Sequence, residues 1–154
     1  MSGSPEISLR AATAADVDAI RSLVDAAYEK WIPLIGRLPL PMRADYAVAV
    51  REHDFTLTHV DGALVGLIET ERKTDHLYIV NVAVSPVRQG RGIGRALLAH
   101  AENEARAAGY IETRLITNAL YDANIRLYLS VGYAITSREP FMGGEVVYMA
   151  KRLG

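Results

Sequence analysis

Residues 82–98 read VAVSPVRQGRGIGRALL: an apolar stretch, a loop crowded with glycine and arginine, and a second apolar stretch at helical spacing. Gly90, Gly92 and Gly94 fall within five residues. Glycine at that density costs backbone entropy and opposes a clean helix start, but it lets a ligand come close to the main chain. At a helix N-terminus the unbonded N–H groups and the positive end of the dipole favour an anion, phosphate above all. Arg88, Arg91 and Arg95 add three positive charges in eight residues with no acid among them, against a chain total of −1. A cationic, glycine-rich helix start points to a polyphosphate ligand. The spacing discriminates between phosphate binders. A P-loop ends in Gly-Lys-Ser/Thr, and here Gly94 is followed by Arg95. A dinucleotide fingerprint would need glycine at position 95 or 97, and the chain has Arg95 and Leu97 there.

The loop does match Gln/Arg-x-x-Gly-x-Gly/Ala, filled by Gln89, Gly92 and Gly94, with an apolar Val82, Ala83, Val84 stretch in front and Ala96, Leu97, Leu98 behind. This resembles the acyl-CoA pyrophosphate loop of the GCN5-related N-acetyltransferase (GNAT) family. A second segment, residues 115–133 (LITNALYDANIRLYLSVGY), is similar to the family's Asn-Ile-x-Leu-Tyr-x-x-x-Gly-Tyr variant through Asn124, Tyr128, Gly132 and Tyr133. The more widespread version would put asparagine at position 121 and alanine at 124, where this chain has Tyr121 and Asn124. The resemblance covers nearly the whole chain and is weakest over residues 30–53 and 138–146.

The resemblance implies acetyl-CoA as cofactor and CoA as product. It implies that Val82, Ala83 and Val84 lie on a strand splayed from its neighbour, whose free backbone groups pair with the pantetheine arm. Arg88, Gln89, Gly90, Arg91, Gly92, Ile93, Gly94 and Arg95 would hold the pyrophosphate, with Asn124 and Tyr128 completing the site. The Val82 backbone N–H would stabilise the developing oxyanion. Tyr128 would deliver a proton to the departing thiolate; its plain alternative is a core tyrosine on a helix. Many relatives carry a base carboxylate on the strand before the loop. Here that strand reads His76, Leu77, Tyr78, Ile79, Val80, Asn81, without Asp or Glu. Glu69 and Glu71 on the preceding strand are the nearest replacements, with Tyr78 or His76 as water-mediated relays. The plain reading of both glutamates is a solvated strand end. His53 and His59 have no metal-ligand company and read as surface or satisfied histidines; no metal is expected. In the family the acceptor groove lies between the first two helices and the late hairpin. Tyr28, Trp31, Met42, Tyr46 and Tyr78, with Phe141 and Tyr148, are the candidates to line it, and Arg37 and Arg43 to bind a substrate carboxylate. Ordinary packing is the competing reading for each.

The elements that must position these residues follow from periodicity. A strand is expected over 7–10, and Thr13 followed by Asp16 reads as a helix cap. Val17, Ile20, Val24, Ala27 and Tyr28 recur at helical spacing. Residues 31–42 (WIPLIGRLPLPM) carry three prolines and a glycine and are expected to form an apolar loop rather than helix. A short helix is expected over 43–51. Strands over 55–60 and 63–71 flank an Asp61-Gly62 hairpin turn, and another follows over 76–84. A helix over 93–108, a strand over 111–117, a helix over 122–131 and strands over 133–137 and 146–153 complete the chain. The order β-α-α-β-β-β-α-β-α-β-β implies an α/β fold: a mixed, mostly antiparallel twisted sheet with helices on both faces.

Composition narrows the function. The chain has 154 residues, one domain's length, read as a single unit over 1–154 with a short flexible lead at 1–5. It contains no cysteine, which excludes disulfides, thiolate metal sites and a cysteine nucleophile. A net charge of −1 argues against nucleic acid as partner. No apolar run approaches bilayer length, so no membrane association is expected. The opening residues show neither a basic region nor an apolar stretch, so a cytoplasmic location is expected. The activity implied is acetyl transfer from acetyl-CoA to a primary amine of a small molecule, by direct attack in a ternary complex. Two alternatives stay open: a CoA-binding sensor without turnover, and acetylation of a protein or peptide amine. Many relatives dimerise, which leaves a homodimer open.

Overall fold

The structure, a computed structural model, describes residues 8–154. The lead over 1–5 and the first position of the strand expected over 7–10 lie outside the described residues.

The Asp61-Gly62 pair dictates the first hairpin. Both residues take positive φ, 52° and 81°, the geometry whose twist matches two antiparallel strands. It joins β2 (Asp54–Val60) to β3 (Ala63–Arg72). With β1 (Ser8–Ala11), β4 (Leu77–Val84), β5 (Glu112–Asn118), β6 (Ala134–Phe141) and β7 (Gly144–Arg152) they form one sheet in the order β1-β2-β3-β4-β5-β7-β6. Every pairing is antiparallel except β4–β5.

Alternation along the central strands feeds two cores. On one face α1 (Val17–Tyr28) lays Ile20, Leu23, Val24, Ala27 and Tyr28 over Leu57, Leu67 and Ala83, together with Tyr46 of α4 (Tyr46–Glu52). On the other, α5 (Ile93–Ala107) buries Ile93, Leu97, Leu98, Ala101 and Ala105 against Ile68, Ile79, Leu115 and Met149. Fully burying such a leucine contributes roughly 1.5–3 kcal/mol, so these faces anchor the sheet on both sides. The short α6 (Asp122–Ser130) packs beside α5 through Tyr128 and Leu127. This is the mixed, mostly antiparallel sheet with helices on both faces that the element order implies.

Two elements differ from expectation. Residues 31–42 are not a proline-broken loop. A 3-10 turn (Glu29–Trp31) leads into α2 (Ile32–Ile35), and α3 (Leu40–Arg43) follows. Pro33 and Pro41 each sit in the first turn of their helix, where an N–H has no helical acceptor and the fixed φ fits. Gly36, at φ 74°, ends α2. The strand expected over 133–137 extends to Phe141, and Pro140 is accommodated because β6 is an edge strand.

Candidate active site

The site begins where two parallel strands part. β4 and β5 pair only at Leu77–Thr113, Tyr78–Arg114 and Ile79–Leu115. In the β3–β4 ladder Glu69 faces Asn81 and Thr70 faces Ile79, so Val80 is an extra, bulged residue. A bulge bends its strand and increases the local twist. Here it falls where β4 leaves β5, which itself continues alongside β7 to Asn118.

Ladder phase then fixes which backbone groups are free. Ser85 N–H donates to Val65 O at 2.8 Å. In an antiparallel pair bonded positions alternate, so Ala83 and Asn81 bond β3. Val82 and Val84 turn their N–H and C=O groups toward the gap vacated by β5. The Val82 carbonyl accepts from the Tyr28 hydroxyl at 3.3 Å, and the Val84 carbonyl from Gln89 Nε2 at 3.2 Å. Gln89 thereby ties the glycine-rich loop to the strand end, and its Oε1 accepts from Lys30 Nζ at 3.0 Å.

Gly90 and Gly92 take φ of 80° and 83°, and a Cβ on either would meet nothing within 4 Å. They are selected by backbone conformation. Gly94 differs, because its Cβ would lie 2.9 Å from Leu127 Cδ2. Its missing side chain is used by the α5–α6 contact rather than by a ligand. The first backbone bond of α5 runs from Ala96 N–H to Gly92 O, which leaves the amides at the helix start turned to the loop.

These elements enclose a cavity of about 410 Å³ lined by Val82, Ala83, Val84, Arg88, Gln89, Gly90, Gly92, Ile93, Gly94, Arg95, Asn124 and Tyr128, with Tyr28, Lys30 and Trp31 across from them. Arg91 is exposed and outside the lining. Arg95 donates to Ser130 Oγ at 2.9 Å. The free strand amides, the helix start and the cations suit the extended arm and diphosphate of a CoA thioester.

A second cavity, of about 480 Å³, lies along β4 and β5 and adjoins the first. Tyr28, Val82, Asn124 and Tyr128 line both, so the two cavities meet at these four residues. Tyr128 is 5% exposed. Among the described residues its hydroxyl has no hydrogen-bond partner, and burial pushes its pKa well above the usual tyrosine value.

Glu69 lies in this second cavity and is 4% exposed, which overturns the solvated strand-end reading; Glu71 keeps a partly exposed side chain. Burial raises the Glu69 pKa, opposed by a hydrogen bond from His53. His53 Nδ1, at the end of α4, lies 2.6 Å from Glu69 Oε2. Beside this pair the Tyr28 hydroxyl donates to Asn81 Oδ1 at 2.6 Å, Asn81 Nδ2 donates to the Tyr46 hydroxyl at 3.3 Å, and that hydroxyl donates to Pro41 O at 2.7 Å. Tyr78, Tyr148, Phe141 and Arg37 form the outer wall. His76 pairs with Asp75 at 2.7 Å on the surface, away from the site.

Two residues expected in the acceptor groove lie elsewhere. Trp31 faces the first cavity, stacked on Tyr121 with centroids 4.8 Å apart. Met42 lines neither cavity and packs against the α1 core, because its carbonyl is held by Arg21 Nη1 at 2.8 Å. Arg43 is likewise outside. The sequence reading missed Asn81 and Tyr121, while His53, read as a surface or satisfied histidine, is satisfied by Glu69 inside the second cavity. Asn81 carried a signal, being the one amide in the otherwise apolar or aromatic run 77–84.

The comparisons with known proteins agree with this geometry. A family model described as the acetyltransferase (GNAT) family matches residues 18–133. An aminoalkylphosphonate N-acetyltransferase from Salmonella typhimurium is 31% identical over 142 residues, covering 84% of this chain and 86% of that protein. A ribosomal protein bS18-alanine N-acetyltransferase from Escherichia coli is 35% identical over 80 residues, 52% of this chain and 53% of that protein. The PaiA N-acetyltransferase from Thermoplasma acidophilum, solved in complex with coenzyme A, superposes with a TM-score of 0.81 at 19% identity, over 96% of this chain and 99% of that one. The chain belongs to the acetyltransferase (GNAT) family, a family of acyl-CoA-dependent transferases.

Proposed function

We propose that this protein transfers an acetyl group from acetyl-CoA to the primary amine of a small molecule, by direct attack with both substrates bound. The observation that carries this reading is the junction of the two cavities at Tyr28, Val82, Asn124 and Tyr128. One cavity has the cationic, amide-lined character a CoA arm needs. The other is lined by several aromatic side chains and contains a buried carboxylate. The Salmonella typhimurium relative that matches most of the chain acts on a small amine.

Bound acetyl-CoA supplies an activated thioester carbon. In this reading Val84 and Val82 pair with the pantetheine amides, while Arg88, Arg95 and the amides after Gly92 hold the diphosphate. The acceptor ammonium gives a proton to Glu69, directly or through water. The nitrogen–carbon bond forms as the Val82 N–H donates to the acyl oxygen. The carbon–sulfur bond then breaks as the nitrogen gives up its second proton to water, and Tyr128 donates a hydrogen bond to the departing sulfur, which takes up a proton from water. Tyr28 and Asn81 hold the strand end that presents Val82.

The test has two stages. Acetyl-CoA and CoA should raise thermal stability where NAD does not, by about 2.7 kcal/mol at a hundredfold excess over Kd. A panel of small primary amines, with a peptide bearing a free N-terminus as comparison, should then release free CoA. No shift with either CoA species rejects the cofactor. A shift without any turnover would make the protein a CoA sensor, and turnover confined to the peptide would move the acceptor class to protein amines.

A further inference from the structure

The acceptor cavity carries one charge of each sign. Among its lining residues Glu69 is the one carboxylate and Arg37 the one lysine or arginine. They come from different elements. Glu69 sits on β3 with His53, facing Tyr46 and Tyr28. Arg37 follows the αL residue Gly36 that ends α2, donates to Leu38 O at 3.2 Å, and lies 5.9 Å from the Phe141 ring centroid on the late hairpin. It is half-buried, and no described carboxylate lies within ion-pair distance of it. Leu40, Pro41, Leu115, Tyr78 and Tyr148 supply the apolar wall of the cavity.

A half-buried guanidinium without a counter-ion keeps several donors unused, and those donors match a carboxylate or phosphonate. The aromatic contact holds it over the cavity instead of leaving it in solvent. We infer that the acceptor is a zwitterion: a primary amine, directed to Glu69, on an apolar body whose other end carries an anionic group bound by Arg37. The inference rests on the acetyl-transfer reading above, and it adds a charge requirement that this reading does not contain.

The experiment compares amino acids of increasing amine–carboxylate separation, and aminoalkylphosphonates, with the matching neutral amides and esters. Free CoA release is followed for the wild type, Arg37→Gln and Arg37→Lys, and thermal shift with acetyl-CoA checks that each variant is folded. Charge-assisted contacts predict that the anionic member of the best pair is preferred by about tenfold or more in kcat/KM, through KM. Arg37→Gln should bring that ratio near one, and Arg37→Lys should retain part of it. Neutral amines used as well as their anionic partners by the wild type would overturn the inference, as would a ratio that survives Arg37→Gln. If no amine turns over, the acetyl-transfer reading fails, and calorimetry in the presence of CoA decides the inference alone. Binding of an anionic amine lost in Arg37→Gln supports it, and equal binding or none overturns it.

Discussion

Glu69 and His53 form a close pair in the second cavity, with His53 Nδ1 2.6 Å from Glu69 Oε2 and the carboxylate side chain 5% exposed. Burial favours the neutral carboxyl, while the hydrogen bond from His53 favours the anion. Burial is the larger effect, so the pKa stands above that of an ordinary glutamate. A base must be deprotonated to accept a proton, so kcat/KM should rise with pH through a limb displaced upward from the usual carboxylate range. Glu69→Gln should remove that limb and lower kcat by about a hundredfold or more, while the thermal shift with acetyl-CoA persists. A pH–rate profile unchanged in Glu69→Gln would remove Glu69 from the reaction.

With Glu69 as the proposed base, His53 is expected to act on the reaction through it. His53→Ala deletes the interaction that holds the Glu69 pKa down, and His53→Gln leaves only a neutral amide donor in its place, so desolvation is then less opposed. The acid limb should therefore move to higher pH, with the largest rate loss at the acid end and partial recovery as pH rises. A purely structural role would lower the rate by the same factor at every pH. Profiles of kcat/KM for the wild type and both variants separate the two outcomes.

Gly94 should matter to stability through Leu127. An alanine Cβ there would lie 2.9 Å from Leu127 Cδ2, and overpacking of that kind costs about 1–3 kcal/mol. The clashing atom is the end of a flexible side chain, so the lower end of that range is expected for Gly94→Ala and more for Gly94→Val. Leu127→Ala removes the clash. In urea unfolding, Gly94→Ala with Leu127→Ala should cost less than the sum of the single changes. Strict additivity would mean that the α5–α6 approach does not select glycine.

This distinction could not be read from the chain. Gly90, Gly92 and Gly94 look alike in sequence, and only the packing of α6 separates two conformational glycines from a steric one. The strands were legible because alternation and the Asp61-Gly62 turn are local properties, and the glycine-rich loop stood out because its charge departs from that of its surroundings. The segment 31–42 was misread because proline breaks a helix interior yet fits a first turn, and the composition alone does not give its position. Glu69 was misread for a different reason. Its burial comes from His53, 16 residues earlier, and from the partner strand β4, bulged at Val80. Trp31 and Met42 show the same limit, since apolar type fixes burial but not which cavity a side chain faces.

Tyr128 is the last residue whose role the geometry makes testable. It is buried, lines both cavities, and its hydroxyl has no partner among the described residues. Thr58 Oγ1, and not the Tyr128 hydroxyl, is the fully buried unpaired side-chain atom among the described residues, so the Tyr128 hydroxyl is reached from the cavities and can donate to a group that arrives with substrate. Complete transfer of its proton to a thiolate is uphill, because tyrosine at about 10 is a weaker acid than a thiol at about 8.5. Burial raises the Tyr128 pKa further and widens that gap. In the proposed reaction the side chain therefore donates a hydrogen bond while charge develops on sulfur, and the thiolate takes its proton from water. Tyr128→Phe should keep acetyl-CoA binding and fold stability and lower kcat at least about tenfold, the scale of one charge-assisted hydrogen bond. An unchanged kcat would reduce Tyr128 to a packing residue and leave the thiolate to solvent. A loss of acetyl-CoA binding without a change in kcat would instead make the hydroxyl a contact of the ground state.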